Sequence, residues 1–241
     1  MNRKSFSLYQ EKKILIVEDE KNLGQTLVDY LNSTGLKAHW AANSHQAMDL
    51  FDQLCPDIIL MDIGLPDGNG LELAKTMRGL RQDFILLFVS AQNDPQIRVD
   101  GLEIGADDYI TKPFALKELM FRLEKALKTH GEFQNEKEEI AHGPLRIWFK
   151  RYQVQDASGN IVNLSQKECA ILKILYARKN EAVPREDIIN KVWGEDKFPS
   201  NRTVDNYIVK LRKWSESDTQ KTIEIQSIRA IGYKINIKEE E

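Results

Sequence analysis

Ile58-Ile59-Leu60-Met61-Asp62-Ile63-Gly64-Leu65-Pro66-Asp67-Gly68 decides how the first half of this chain reads. An apolar, strand-like run ends in a carboxylate, and a turn rich in Gly and Pro follows at once. The same grammar recurs on both sides. Glu18-Asp19 follows Lys13-Ile14-Leu15-Ile16-Val17, Ser90 follows Phe84-Ile85-Leu86-Leu87-Phe88-Val89, and Lys112-Pro113 follows Tyr109-Ile110-Thr111. In a parallel sheet with helices between its strands, the strand ends emerge along one edge, where such folds bind ligands. Three acids, a hydroxyl and a lysine meeting there suit a divalent cation and a phosphoryl group.

Outward from that stretch, short apolar runs alternate with helical patterns. Strands are predicted near 12–17, 36–41, 57–61, 84–89 and 107–111, and helices near 21–34, 44–53, 70–80, 94–104 and 115–128. Strands buried on both faces read as continuous apolar runs, so the pattern argues an α/β, (βα)5 doubly wound parallel sheet. Leu23, Leu27, Tyr30 and Leu31 form a helical stripe, as do Leu116, Leu119, Leu123 and Leu127.

Across 129–141 the pattern stops in a polar, charged run, read as a linker with room for one further turn of the preceding helix. The expected division is an extension over 1–11, a domain over 12–128, this linker, a second domain over 142–238 and an acidic tail over 239–241. The second domain reads as α+β. Strand signals at 145–148, 153–155 and 161–163 precede Ser165-Gln166-Lys167-Glu168, a capping box ahead of an apolar helix. Pro184 is expected to open a second helix that Gly194 ends, and Ser200 to cap a third over about 201–214. A hairpin of 222–227 and 233–237 closes the chain. Three helices and a hairpin suggest a helix-turn-helix with a β-wing.

A length of 241 residues suits two domains. No apolar stretch approaches the roughly 18 to 20 residues of a membrane span, and Met1 to Lys13 lacks the apolar core of a secretory signal. The lone cysteines Cys55 and Cys169 read as buried, reduced thiols, and the four histidines lack zinc-ligand spacing, so cytosol is the expected compartment. Residues 1–130 carry 15 basic and 19 acidic side chains, whereas 142–241 carry 18 and 14. An acidic half joined to a basic half suggests a metal-binding or regulatory part and a polyanion-binding part.

Three close carboxylates repel one another unless a cation joins them, and hard oxygen ligands with room for water favour Mg²⁺. A calcium loop is a poor fit, because Gly64 falls at a ligand position and Pro66 disrupts the turn. A carboxylate can also attack phosphorus, with Lys112 contacting a phosphoryl oxygen as a mobile point charge and Ser90 hydrogen-bonding another. On the third helix, Val204, Ile208 and Leu211 should face the core. Arg202, Asn206, Val209, Lys210 and Lys213 then point outward, a surface suited to the major groove. Arg229 at the hairpin tip suits a minor groove or a phosphate.

Ile16-Val17-Glu18-Asp19-Glu20, Met61-Asp62-Ile63-Gly64-Leu65-Pro66-Asp67-Gly68-Asn69-Gly70, Val89-Ser90-Ala91 and Gly105-Ala106-Asp107-Asp108-Tyr109-Ile110-Thr111-Lys112-Pro113-Phe114 resemble the receiver domain of two-component response regulators. Leu164-Ser165-Gln166-Lys167-Glu168, Val192-Trp193-Gly194, Arg202-Thr203-Val204-Asp205-Asn206-Tyr207-Ile208, Lys210-Leu211-Arg212-Lys213 and Gly232-Tyr233 resemble the effector domain of the OmpR/PhoB, winged-helix class. The resemblance implies that Asp62 accepts phosphate from a sensor histidine kinase. It implies Mg²⁺ on Asp19, Asp62 and the Gly64 carbonyl, with Glu18 assisting through water. Ser90 and Tyr109 become the switch pair, Tyr109 turning inward from solvent, and the Lys112-Pro113 bond is expected to be cis. Phosphorylation would drive homodimerisation through Arg98 with Glu118 and Asp108 with Arg122. Arg202, Asn206, Tyr207, Lys210, Arg212 and Lys213 on the recognition helix, and Ser227 and Arg229 on the wing, would meet promoter DNA, at direct-repeat half-sites. RNA polymerase is a further candidate partner. Ala230 and Val209 depart from the family pattern, and Trp214 stands where a charged residue is usual.

Two rival readings stay open at this point. An aspartate-nucleophile phosphatase would share the pocket chemistry but leave the basic half unexplained. A DNA binder whose receiver is never phosphorylated would leave the pocket unexplained.

Overall fold

The computed structural model describes residues 11–91, 97, 100–101, 104–132, 139–193 and 201–238, with the backbone alone at 130, 132 and 201–203. The chain divides into two units, Met1–Gly131 and Glu132–Glu241.

In the first unit, β1 (Lys13–Val17), β2 (Lys37–Ala41), β3 (Ile58–Met61), β4 (Ile85–Ser90) and β5 (Asp108–Thr111) form one sheet. Its order is β2-β1-β3-β4-β5 and every pairing is parallel. Helices α1 (Lys21–Ser33), α2 (Ser44–Leu54), α3 (Gly70–Leu80) and α4 (Leu116–Glu132) join or follow the strands. The helix expected over 94–104 lies largely outside the described residues, although Ile97, Asp100 and Gly101 are helical. Alternation along each strand sends side chains to opposite faces. Ile14, Ile16, Leu60 and Leu87 join Leu31, Leu119 and Leu123 in one apolar layer, while Leu15, Val17, Met61 and Phe88 join Phe51 and Met77 in the other. The strand order reverses between β1 and β3, and that crevice is where open α/β sheets place ligands.

The turn after β3 is held from two sides. A two-residue ribbon, Gly64–Leu65 against Gly68–Asn69, folds it back on itself. The Asp67 carboxylate accepts from the Ser44 and His45 amides at 2.9 and 3.2 Å, capping the first turn of α2. These hydrogen bonds hold the Asp67 carboxyl below the usual range despite some opposing desolvation. Asn69 caps α3 by accepting from Leu71 N at 2.7 Å. Gly70 sits so close to β3 that a Cβ there would lie 1.9 Å from the Asp62 carbonyl oxygen.

The second unit begins with an antiparallel sheet of β6 (Ile140–His142), β7 (Leu145–Trp148), β8 (Gln153–Gln155) and β9 (Ile161–Asn163). Then come α5 (Gln166–Ala177), β10 (Ala182–Pro184), α6 (Arg185–Trp193), α7 (Asn201–Ser215), β11 (Ile223–Ile228) and β12 (Gly232–Ile237). The last two strands make the wing, with β10 added at the edge of β12. Ile171, Leu175, Val204, Ile208 and Leu211 share one core with Trp214, whose indole N–H donates to Gln155 O at 2.8 Å. Trp214 is therefore core packing. The capping box is present, Ser165 accepting from Glu168 N and Glu168 from Ser165 N.

Three expectations change. Helix α4 runs on to Glu132, the further turn the sequence allowed, whereas Ile140 already pairs with Ile147, so strand structure begins inside the expected linker. Polarity made 129–141 look structureless, yet a polar segment can extend a helix whose nucleus is already made. Pro184 closes an edge strand ahead of α6 instead of opening the helix, a place where its missing N–H breaks no ladder. Cys55 is exposed at a left-handed φ of 47° after α2, whereas Cys169 is buried as expected. Gly194 and Ser200 lie outside the described residues.

Gly70→Ala is expected to destabilise the first unit by about 1–3 kcal/mol through overpacking against the Asp62 backbone. Urea unfolding followed by far-UV circular dichroism measures this, with Gly79→Ala, where a Cβ meets open space, as the control.

Candidate functional site

The strand termini converge as the apolar runs require. Glu18, Asp19 and Asp62 follow β1 and β3, and their carboxylate oxygens lie within 4.8 Å of one another. Backbone bonds fix their approach: Asp62 N donates to Val17 O at 2.8 Å and Glu18 N to Ala41 O at 3.0 Å. Lys112, beyond β5, donates to Asp62 Oδ2 at 2.5 Å and to Glu18 Oε1 at 2.7 Å. Asp62 Oδ1 accepts from the Gly64 amide at 3.1 Å. The Asp62 side chain retains 9% of its exposure and Lys112 17%, so Asp62 is buried at the base of the pocket and Lys112 lies nearer its mouth.

Burial pushes the Glu18 carboxyl up, and the neighbouring Asp62 charge adds to this, more than Lys112 and the Glu20 amide offset. Burial alone would lower Lys112, but its hydrogen bonds and charge contacts with Asp62 and Glu18 raise it above the ordinary lysine value. One ammonium therefore faces three carboxylates, leaving net negative charge on a set of hard oxygen donors. Those donors fit a small divalent cation.

Ser90 ends β4 and is 1% exposed, with Lys112 N donating to its carbonyl at 2.9 Å. The Lys112-Pro113 bond is cis. Tyr109 differs from expectation: it is 7% exposed and packs with Phe88 and Ala106 in the core, already inward. Burial of an aromatic body outweighs any tendency of its hydroxyl to stay in water. Beside the pocket, a groove of about 550 Å³ runs between Leu23 on α1 and Phe114 and Leu116, with Lys112 in its wall.

On α4, Arg122 bonds Glu118 at 2.6 Å and Asp108 at 3.1 Å within one chain. The pairing expected between two chains is thus satisfied in the monomer, while Arg98 lies outside the described residues.

In the second unit, Val204, Ile208 and Leu211 are buried, and Asn206, Val209, Lys210 and Lys213 are exposed, as the helical count requires. Ser227 and Arg229 are exposed on the wing, where Ala230 takes a left-handed φ of 61°, a conformation that favours glycine. The Arg202 side chain lies outside the described residues. Two recognition-helix candidates are not displayed. Tyr207 is 4% exposed with its ring 5.7 Å from Trp193, because its position falls on the apolar side of α7. Arg212 donates to Ile225 O at 2.9 Å and Ser227 Oγ at 2.8 Å, bracing the helix against the wing. Lys210 reaches Glu168 at 2.9 Å while staying exposed.

A network missed from sequence locks this surface. Arg185 at the start of α6 bonds Asp205 on α7 at 3.0 Å and the Tyr233 hydroxyl on β12 at 2.9 Å, and the Tyr233 hydroxyl also donates to Asp205. The partners are 20 and 28 residues apart, so no local pattern announces them.

Residues 14–124 match the response regulator receiver domain, and residues 159–235 match the C-terminal domain of transcriptional regulatory proteins. The sensory transduction protein RegX3 of Mycobacterium tuberculosis is 32% identical over 224 residues, spanning 92% of this chain and 98% of its own. The transcriptional regulatory protein CssR of Bacillus subtilis is 34% identical over 224 residues, spanning 92% and 97%. A solved RitR mutant superposes with a TM-score of 0.75 at 21% identity, over 94% of this chain and all of that one, a likeness of fold. The chain belongs to the two-component response regulators of the OmpR/PhoB type, a receiver domain followed by a winged-helix, DNA-binding transcription-regulator domain. Membership implies a sensor kinase upstream and DNA downstream. Among the described residues no helix is long and apolar enough to cross a membrane.

Burial would raise Asp205, but hydrogen bonds from Tyr233 and Arg185 hold its carboxyl below the usual 3.8. A depressed native value means stability fully present above about pH 4 and lost as pH falls through that lower value. Asp205→Asn should therefore lower the urea midpoint of the second unit at pH 7, with the gap to wild type narrowing at pH 3. Tryptophan fluorescence of the full chain, read at both pH values, measures it.

Proposed function

We propose that Asp62 is the phosphoacceptor of this regulator. The observation that carries the proposal is the junction of Glu18, Asp19, Asp62 and Lys112 at the sheet's switch point, with Asp62 buried and Asp19 exposed beside it. A phosphohistidine on a sensor kinase presents its phosphoryl group to Asp62 Oδ2; the P–N bond breaks and a P–O bond forms, leaving neutral histidine and an acyl phosphate. The groove lined by Leu23 and Phe114 offers the donor protein an apolar seat beside that oxygen. Asp19, Asp62 and the Gly64 carbonyl, with Glu18 assisting, would hold a Mg²⁺ ion, which when bound would supply neutralising charge for the carboxylates and the incoming group. Lys112 exchanges its Asp62 hydrogen bond for a phosphoryl oxygen, and Ser90 donates to another. The chain catalyses only its own phosphotransfer and dephosphorylation.

The phosphoryl group adds about −1.5 to −2 charges and three acceptor oxygens. Drawing Ser90 toward them fixes Tyr109 in its inward position and biases the face formed by β5 and α4 toward self-association. Arg122 then exchanges Asp108 of its own chain for Asp108 of a second copy, and the Glu118 it releases pairs with Arg98 across the same face. Exposed pairs of this kind set register more than affinity. The domains act as 12–128 and 142–238, flanked by 1–11, 129–141 and 239–241. Dimerisation brings two winged helices to neighbouring direct-repeat half-sites at high effective concentration. Asn206, Lys210, Lys213 and Arg202 face the groove, Ser227 and Arg229 the adjoining backbone, and Arg212 and Tyr207 hold the helix in place. Promoter DNA and RNA polymerase put this work in the cytoplasm.

Radiolabelled acetyl phosphate with Mg²⁺ is expected to label wild type and leave Asp62→Ala unlabelled, both read by phosphorimaging after electrophoresis. Equal labelling of the two would remove Asp62 from the role.

A further inference from the structure

Asn206, Val209, Lys210 and Lys213 fall at i, i+3, i+4 and i+7 on α7 and form one outward stripe of the helix. All four are exposed, and Val209 is 62% so. The middle of a polar, cationic stripe thus carries one large apolar side chain. Solvated helix surface favours Lys, Glu, Gln or Ala; valine is a weaker helix former and leaves apolar area in water.

We propose that Val209 reads thymine through its 5-methyl group in the major groove. This rests on the reading of α7 as the recognition helix. A stripe bearing Lys210 and Lys213 draws a polyanion onto Val209, and duplex DNA offers that side chain one apolar group at a major-groove base edge, the thymine methyl. The other edge groups there are hydrogen-bond donors and acceptors, which valine would desolvate without replacing. A β-branched side chain is stiff at χ1, so its two methyls meet the base with little rotamer freedom to lose. Three residues separate Val209 from Asn206, an axial rise of about 4.5 Å. The thymine therefore lies one or two base-pair steps, each roughly 3.4 Å, from the base facing Asn206.

The test uses the full chain treated with acetyl phosphate and Mg²⁺, and DNA selected from a random pool. In the selected site each thymine is replaced in turn by deoxyuridine, which lacks only the methyl. Wild type should lose about fourfold in affinity at one thymine per half-site, the worth of one methyl group taken from water. Val209→Ser should bind the thymine and uracil forms of that position equally, and Asn206→Ala should relax preference at a base within two steps of it. If no uracil substitution weakens wild type more than Val209→Ser, Val209 reads no methyl and the inference is overturned while the recognition helix stands. If the protein selects no DNA, or selection is indifferent to Lys213→Ala and Asn206→Ala together, the reading of α7 falls and takes the inference with it.

Discussion

Three carboxylates held within 4.8 Å of one another are the constraint on which the receiver half turns. Their repulsion is offset in part by Lys112, which touches two of them. The fold accepts this local strain because other forces fix the strand ends: apolar burial on both faces of the sheet, and backbone bonds from Asp62 to Val17 and from Glu18 to Ala41. A site under such tension gains from anything that brings positive charge or disperses negative charge. A divalent cation does the first, and transfer of Lys112 onto a phosphoryl group rearranges the second.

The turn after β3 shows how closely that tension is contained. Asp67 ties it to α2, Asn69 and Gly70 tie it to α3, and the Gly64 amide returns a hydrogen bond to Asp62. A mobile turn would let Asp62 swing away from its neighbours and relieve the repulsion without a ligand. Small or turn-forming residues at 64, 68 and 70 therefore serve the chemistry by keeping the carboxylate where it is least comfortable.

Much of this was legible because each strand is a short apolar run ended by a functional residue, and because such runs in βα alternation admit few topologies. The outward and inward faces of α7 were legible for the same reason, periodicity. Features set by distant partners were not. Arg78 gives no sign in the sequence that it is buried, yet it donates to the carbonyls of Gln82, Phe84 and Gly105 at 2.8–3.0 Å with its guanidinium 4.1 Å from the Phe84 ring centre. Tyr109 sits inward because its rotamer depends on packing against Phe88, and Tyr207 turned inward because motif matching places a residue on a helix without choosing its face. The Arg185–Asp205–Tyr233 network spans three elements and has no sequence period at all.

The central claim, that the acids after β1 and β3 act together as one cation site, is tested most directly by titrating Mg²⁺ into the protein and following Trp40. Its indole N–H donates to the Glu18 carbonyl at 2.7 Å, which places a fluorophore against the pocket wall. Wild type should show a single saturable change in tryptophan emission that is absent in Trp40→Phe and in Asp19→Asn, with isothermal calorimetry giving one site for wild type and none for Asp19→Asn. Equal Mg²⁺ affinity in wild type and Asp19→Asn, or no binding by wild type, would contradict it.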